Sequence, residues 1–315
     1  MQKIKKLFYI FFSRGFFITL LVVLRLIKIN FQYFFLNKKF YLTKIYNFRM
    51  YLDINDKGLS RSLMLFGSRE LDHKYLLEKI INKNMKIFDI GANIGYYSLL
   101  EKQHLENSEN ILCIEPIEKN IKLLKKNLKL NNSNAFVLHG GVSNINTVKE
   151  IYVAHHSNLS SFHKNFNKKS IYTENKIKVS TYSIQKLISN FFIPDIIRMD
   201  VEGHEVEIFE SLVSSIKENN KIQPLIIFET HFWRYQEDDR FKLILRKLFN
   251  LGYRTKYIAS ADKFGTNKIN FKGYNSIKSI KTDGVERQIY KDIKNEDLEY
   301  FLIQVGGVRT VVLKK

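Results

Sequence analysis

A single cysteine, Cys113, in 315 residues excludes an intrachain disulfide and any multi-cysteine metal cage, a scarcity that suits a reducing compartment. Prolines number three, at 116, 194 and 224, and no two are adjacent. Acidic residues are also few. Thirty-one Asp and Glu stand against 51 Lys and Arg, a net charge of +20 that draws the chain toward nucleic acid, anionic lipid or acidic substrates without choosing among them. No G-x-x-x-x-G-K-[ST] run is present, so nothing reads as a nucleoside-triphosphate loop. What the chain does have is 45% hydrophobic residues, with 25 Phe and 17 Tyr, enough for a large core and too much for a disordered or low-complexity scaffold. The length suits one catalytic α/β domain with appendages.

The apolar stretch from Leu7 to Leu36 is broken by Arg14, Arg25 and Lys28, and its longest uncharged run, Gly15 to Leu24, falls short of the about 20 residues that a spanning helix needs. On a helix, Lys3, Arg14, Arg25, Lys28 and Gln32 form one narrow stripe, with Phe8, Phe11, Phe12, Phe16, Val22 and Val23 elsewhere. Residues 1–45 are therefore expected to be a basic amphipathic segment lying in the plane of an anionic membrane surface, aromatics at the headgroup boundary and the basic stripe on the lipid. A packed core helix and a tilted single-pass anchor are the alternatives. A signal peptide is disfavoured by Arg14 and by the lack of a small-residue cleavage site.

Residues 46–85 read as a lead-in hairpin and helix. From 86 to 315 short apolar runs alternate with helical periods, which predicts βαβ units and a mainly parallel sheet. Strands are expected at Lys86–Ile90, Ile111–Ile114, Ala135–His139, Ile196–Met199 and Leu225–Phe228. Helices are expected at Tyr75–Asn82, Glu118–Leu130, Ile184–Ser189 and His204–Ile216. Farther on come a helix at 240–250, a strand near Tyr253–Ile258, a basic loop insertion near 260–283, and a closing strand near Tyr300–Val305.

In an open parallel sheet, ligands sit beyond the carboxyl ends of the strands, which directs attention to the turn Asp89-Ile90-Gly91-Ala92-Asn93-Ile94-Gly95. Gly91 and Gly95 permit close backbone approach, and Asn93 tolerates left-handed angles. Set against G-x-G-x-x-G, only one of three glycines is present, which disfavours a nicotinamide or flavin. Glu115, closing the second strand 24 residues after Gly91, can accept both hydroxyls of a ribose. A ribose without a pyrophosphate requirement suggests S-adenosylmethionine. In that reading Gly140, Gly141 and Val142 would pass its adenine, though a simple loop explains them equally well, and Asp89 would face its methionine portion as well as capping the turn.

The segments Ile87-Phe-Asp-Ile-Gly-Ala-Asn-Ile-Gly-Tyr-Tyr-Ser98, Cys113-Ile-Glu-Pro116, Arg198-Met-Asp-Val-Glu-Gly-His-Glu205 and Ile227-Phe-Glu-Thr-His231 resemble the FkbM family of methyltransferases, in order and in spacing. Gly67-Ser-Arg-Glu70 resembles that family's approach to the first strand, so the likeness runs from about 67 to about 231. It implies a Rossmann-like seven-stranded methyltransferase sheet, mainly parallel with an antiparallel closing strand. It also implies S-adenosylmethionine as donor and a sugar or natural-product hydroxyl as acceptor. Where the family usually has Leu-Asp, this chain has Tyr182-Ser183, so no role for that carboxylate carries over.

A sugar hydroxyl is a poor nucleophile and needs a base or a metal. Asp200 and Glu202 follow the fourth strand, Glu229 and His231 the fifth; Asp200, Glu202 and His231 are the catalytic candidates, with Asp200 or His231 as base. Glu205 reads as complementing a helix amino end, His204 as a surface residue of a first helical turn, and His155-His156 as loop polarity. The four groups after the strands could hold Mg²⁺, a minority reading; no metal ligand is assigned. The expected function is an O-methyltransferase on a sugar, glycan or lipid-linked glycan, cytoplasmic and peripheral to the membrane. The competing readings are an RNA ribose methyltransferase and a non-catalytic membrane adaptor. A nucleic-acid partner is disfavoured, because amino-methylating enzymes carry a Pro-Pro element and cytosine-C5 enzymes a placed cysteine.

Overall fold

A computed structural model describes residues 8, 10–163, 172–237 and 239–315. Chain order begins with helix α1 (Phe16–Phe34), the hairpin β1 (Phe40–Ile45) and β2 (Phe48–Asp53), then α2 (Leu59–Phe66) and α3 (Leu71–Ile80). The central region follows: β3 (Ile87–Ile90), α4 (Tyr96–Lys102), β4 (Ile111–Glu115), α5 (Glu118–Leu130), β5 (Phe136–His139), β6 (Gly141–Val142), β7 (Thr147–Ala154), β8 (Tyr172–Tyr182), α6 (Ile184–Asn190), β9 (Ile196–Met199), α7 (Glu205–Glu218) and β10 (Leu225–Glu229). The chain closes with α8 (Phe232–Glu237), α9 (Arg240–Asn250), β11 (Arg254–Ser260), α10 (Lys263–Phe271), β12 (Lys278–Thr282), β13 (Val285–Lys291), α11 (Asn295–Tyr300) and β14 (Val308–Lys314).

The main sheet runs β12-β13-β11-β14-β10-β9-β3-β4-β5. The five strands from β10 to β5 are parallel, and β14 lies antiparallel between β10 and β11. The parallel strands are buried on both faces and accordingly read as apolar runs, such as Ile-Leu-Cys-Ile in β4 and Leu-Ile-Ile-Phe in β10. One face packs on α6, α7 and α9 through Leu187, Phe209, Leu212, Phe241 and Leu245; the other packs on α3, α4 and α5 through Leu76, Leu77, Leu99 and Leu124. Each such side chain contributes about 1.5–3 kcal/mol on burial. After β3 the chain moves outward to β4 and β5, then returns to add β9 on the opposite side of β3. This reversal opens a crevice above the carboxyl ends of β3, β4 and β9. A three-stranded sheet, β6-β8-β7, borders it.

Three expectations are corrected. Among the described residues the sheet has nine strands, not seven, because β12 and β13 extend it beyond β11. They are joined at Asp283-Gly284, both with positive φ, the dipeptide that two-residue hairpins favour. The basic stretch near 260–283 is thus helix α10 and edge strand β12 instead of a loop; Lys278 and Lys281 sit on the sheet edge, where charge blocks further pairing, while Lys263 and Lys268 belong to the helix. The closing strand is Val308–Lys314, while Phe301–Val305 forms a π-helical turn whose buried Phe301 and Leu302 imitate a strand's composition.

The N-terminal helix is also oriented differently from expectation. Arg25 Nη1 donates to the Leu65 carbonyl at 2.7 Å, in the last turn of α2, where a helix's partial negative charge lies. The Arg14 guanidinium lies 3.9 Å from the Phe66 ring centre and 3.9 Å from Asp283. Val22 and Ile29 are buried. The basic stripe therefore turns toward the protein, except for exposed Lys28, and Lys3 lies outside the described residues, as do 1–7 and 9 of the expected membrane segment. Phe12, Phe16, Phe17, Leu20, Leu24, Ile27, Phe31 and Phe34 are exposed. By length and composition α1 can cross a membrane.

Candidate active site

The turn after β3 is fixed by backbone geometry. Gly91 N–H and Ala92 N–H both donate to the Ile114 carbonyl, at 2.9 and 3.1 Å. Gly91 has φ +79°, and a Cβ there would stand 2.1 Å from the Asp200 carbonyl oxygen, so only glycine fits. Asn93 is left-handed at φ +50°, as its type allows. Its N–H donates at 2.9 Å to Glu115 Oε2, tying the glycine turn to the end of β4. Glu115 Oε1 accepts from Ile117 N–H and Asn120 Nδ2, each at 3.0 Å. Burial pushes Glu115 up to about 7 despite these three donors. A carboxylate offers about four acceptor positions, so this one is locked in orientation and retains capacity toward the crevice.

The crevice is lined by Gly91, Asn93, Glu115, Val142, Asp200 and Glu202, among others. Gly140 and Gly141 border it beside Val142. A Cβ on Gly141 would meet the Phe162 ring at 2.6 Å. Ser157 and Asn158 also line the crevice. The Ser157 carbonyl accepts from Asn93 Nδ2 at 3.2 Å and Asn120 Nδ2 at 3.1 Å, while Asp56 receives Ser157 Oγ at 2.8 Å and Ser157 N–H at 3.1 Å. Burial alone would raise Asp56, but donors from Gly58, Ser60 and Ser157 hold it below the usual carboxylate range.

Two of the expected cofactor residues stand behind the crevice and not in it. Asp89 is fully buried, accepting from Ser98 Oγ at 2.6 Å and Arg198 Nη1 at 3.1 Å; burial raises its pKa. Gly95, φ +89°, begins α4 with Leu124 at 2.7 Å from where its Cβ would be. Asp89 is therefore a strut for Arg198. That arginine is buried in β9 and lies 4.0 Å over the Tyr97 ring. It also donates to the Gly91 carbonyl at 3.3 Å and pairs with Asp200 Oδ2 at 3.4 Å. Asp200 Oδ1 is buried without a protein partner beside the crevice.

Glu202 takes a left-handed conformation, φ +49°, followed by Gly203 at +98°, which turns β9 into α7. Its carbonyl accepts from Ser161 Oγ at 2.6 Å. His231 stands between carboxylates: Nδ1 lies 2.7 Å from Glu205 Oε1, and Nε2 lies 3.4 Å from Glu202 and 3.9 Å from Glu229. Burial would lower its pKa, but these acids prevail and raise it well above the usual value. The neighbouring acids thus favour the protonated ring, the form that cannot accept a proton. Glu205 is buried on His231, so its role exceeds the helix complement expected of it. His204 is buried too, not on the surface.

Several participants were not singled out in the sequence. Arg309, from β14, contacts Glu229 and donates to Glu70 at 2.8 Å; Glu70 is also held by Arg69 and the Tyr97 hydroxyl. Burial raises Glu229, with Arg309 opposing it. Arg198 was legible, because a charge in the apolar strand Ile-Ile-Arg-Met must find a buried partner. Arg309 and Asp56 carried no local signal. Ser183, where the family has Asp, caps α6 by accepting from Lys186 N–H at 3.2 Å.

A parallel sheet with an antiparallel strand inserted near one side, and a crevice at its reversal point, defines a methyltransferase-like α/β fold with a mixed central sheet. The methyltransferase FkbM domain matches residues 89–255, more than half of the chain, and the chain belongs to that family. Among solved structures it is similar to methyltransferase FkbM from Methylobacillus flagellatus KT, at 15% identity and TM-score 0.38, covering 73% of this chain and 52% of that one. It thus spans about half the length of that relative. It is also similar to M. jannaschii TYW2, solved in complex with AdoMet, at 13% identity and TM-score 0.38 over 88% and 87% of the two chains. A third is the M. jannaschii tRNA m1G37 methyltransferase, at 13% and 0.36 over 82% and 56%. No curated protein matches the sequence.

Proposed function

We propose that this chain is an S-adenosylmethionine-dependent O-methyltransferase acting on a hydroxyl of a sugar, glycan or lipid-linked glycan. The observation that carries the reading is the Glu115 carboxylate, buried, fixed by three donors and lining the crevice at the end of the second strand. The residues present fit the donor. Glu115 would accept its ribose hydroxyls, Gly91 and Asn93 would pass its backbone-facing edge, and Val142, which lines the crevice, would pack on its base. When bound, S-adenosylmethionine supplies an electrophilic methyl group on a sulfonium. The chain's own contribution is alignment, exclusion of water and placement of a base.

Asp200 is the base in this account. Its Oδ1 has no protein partner, its Oδ2 is steadied by Arg198, and it lines the crevice. Asp200 would accept the hydrogen bond of the acceptor hydroxyl and take up its proton as that oxygen is methylated. His231, lying between Glu202 and Glu205, serves instead to hold those carboxylates in place. No Mg²⁺ is required by these roles.

The outward apolar face of α1 supports a membrane surface as the workplace and a lipid-linked acceptor as the substrate. The site of action is the cytoplasmic face. The +20 charge favours one second reading, ribose methylation of RNA. Incubating the protein with methyl-labelled donor and cell extract tests both: label is expected in a lipid or glycan fraction and is expected to vanish with Asp200→Asn. Label confined to RNA would favour the second reading, and no label in any fraction would sink the enzymatic one.

A further inference from the structure

Beside the crevice, the loop after β7 brings His163 against the amino end of α7. His163 Nε2 lies 3.0 Å from His204 Nδ1 and 3.5 Å from Glu207 Oε2, and His204 Nδ1 lies 3.3 Å from the same oxygen. A triangle with these sides has its corners about 1.9 Å from its centre, so an ion at the usual 2.0–2.2 Å from nitrogen and carboxylate ligands would sit just out of the plane. His204 and Glu207 side chains are 2% and 6% exposed, and His163 is 26% exposed, which leaves one side open.

We propose that His163 Nε2, His204 Nδ1 and Glu207 Oε2 form a binding site for a divalent first-row transition-metal ion such as zinc, with a fourth position left for water or a substrate oxygen. Two imidazoles and one carboxylate are the donor set of open zinc sites, and imidazole nitrogen favours transition metals over Mg²⁺.

The surrounding groups orient the three donors. Glu207 Oε1 accepts from Arg240 at 2.9 Å, with Arg234 3.7 Å away, which fixes the carboxylate and leaves buried Oε2 facing the two rings without a hydrogen-bond partner. Arg240 is shared with Glu210 at 3.4 Å, so its charge is partly spent there. On the far side of the His204 ring, Nε2 lies 3.2 Å from Ser143 Oγ, an oxygen that already accepts from Lys149 at 2.7 Å and points its own hydrogen to Asn144 at 3.3 Å. The serine therefore accepts from His204 Nε2–H, which selects the tautomer with a lone pair on Nδ1, as outer partners of metal-bound histidines do. Phe162 packs on the His204 ring with centroids 4.5 Å apart. A cation at the centre would relieve the juxtaposed lone pairs of His204 and Glu207.

A second set, Asp200, Glu229 and His231, also lies within ligand reach, but its members are paired within the protein: Glu229 with Arg309, Asp200 with Arg198, and His231 with Glu202 and Glu205. His204 and Phe162 both line the crevice, so an ion at the proposed site would adjoin it. The inference stands apart from the identity of the methyl donor.

Chelator-stripped, tag-free full-length protein titrated with Zn²⁺ by calorimetry, and with Co²⁺ by visible absorption, tests it without any methyl donor. One equivalent of each is expected, with the ligand-field bands of four-coordinate cobalt. His163→Ala, whose part-exposed ring can be removed with little effect on folding, is expected to weaken Zn²⁺ binding by at least about 10–100-fold, the loss usual for an outer partner alone. Glu207→Gln should do the same, and circular dichroism identifies any variant that has not folded. Asp200→Asn is expected to leave Zn²⁺ binding unchanged. The proposal is overturned by absence of stoichiometric binding, by binding that survives both His163→Ala and Glu207→Gln, or by binding lost in Asp200→Asn.

Discussion

Replacing Arg198 by Met removes the charge that holds the back of the crevice together. Met fills much of the same volume but leaves Asp89 fully buried with only Ser98 Oγ as donor, and frees Asp200. Breaking a buried ion pair from one side costs about 3–5 kcal/mol, a large part of the about 5–15 kcal/mol that a folded domain has. The hydrogen bond to the Gly91 carbonyl and the contact over Tyr97 are lost with it, and are not additive with the pair. At about 2–4 °C per kcal/mol, the melting temperature should fall by roughly 10 °C. Because burial already raises Asp89, the stranded acid will take up a proton more readily still, so the defect has a pH signature. A carboxyl whose folded pKa lies above its unfolded value favours the folded state at low pH and withdraws that support as pH rises; the loss in Arg198→Met should therefore be small near pH 4 and largest at pH 7 and above. Urea unfolding across this range measures it, and Asp89→Asn in the Arg198→Met background should recover part of the stability at neutral pH. A loss under about 1 kcal/mol at pH 7, or one independent of pH, would refute the assignment of Arg198 as the buried strut.

Three further outcomes follow from the geometry. Gly91→Ala should fail to give stable protein, losing more than about 3 kcal/mol in denaturant unfolding, since its Cβ would overlap the Asp200 carbonyl and its backbone is left-handed. Glu115, at about 7 in the fold, should make stability decline as pH rises from about 4.5 through 7; Glu115→Gln should flatten that slope in thermal unfolding. Substituting Phe16, Leu20 and Leu24 of α1 by Ser should release the protein from anionic vesicles in a flotation assay while leaving its melting temperature within about 2 °C, because these side chains are exposed.

The central strands and their order of chemistry were legible because a doubly covered parallel sheet demands apolar runs, and because a glycine turn and a carboxylate at strand ends announce a ligand edge. The last quarter of the chain was not. Lys278 and Lys281 belong to an edge strand, where solvent and the need to block pairing permit a loop-like composition. Phe301 and Leu302 are buried in a π-helical turn that local sequence cannot tell from a strand. The N-terminal stripe was read correctly as basic but assigned to lipid, since no periodicity reveals that the α2 carboxyl end and Phe66 claim Arg25 and Arg14. In the site, Gly91, Asn93, Glu115, Val142, Asp200 and Glu202 do meet at one crevice, while Asp89 stands behind it. The charge state of His231 depends on Glu205 and Glu202 converging from another strand's end, which is a property of tertiary structure alone.

Calorimetric titration of S-adenosylmethionine into the full chain, alongside Glu115→Ala, tests the central claim most directly. The account predicts one-to-one binding in the micromolar range that weakens by at least about tenfold, or 1.4 kcal/mol, in the variant. No binding by the intact protein, or equal binding by both, would contradict it.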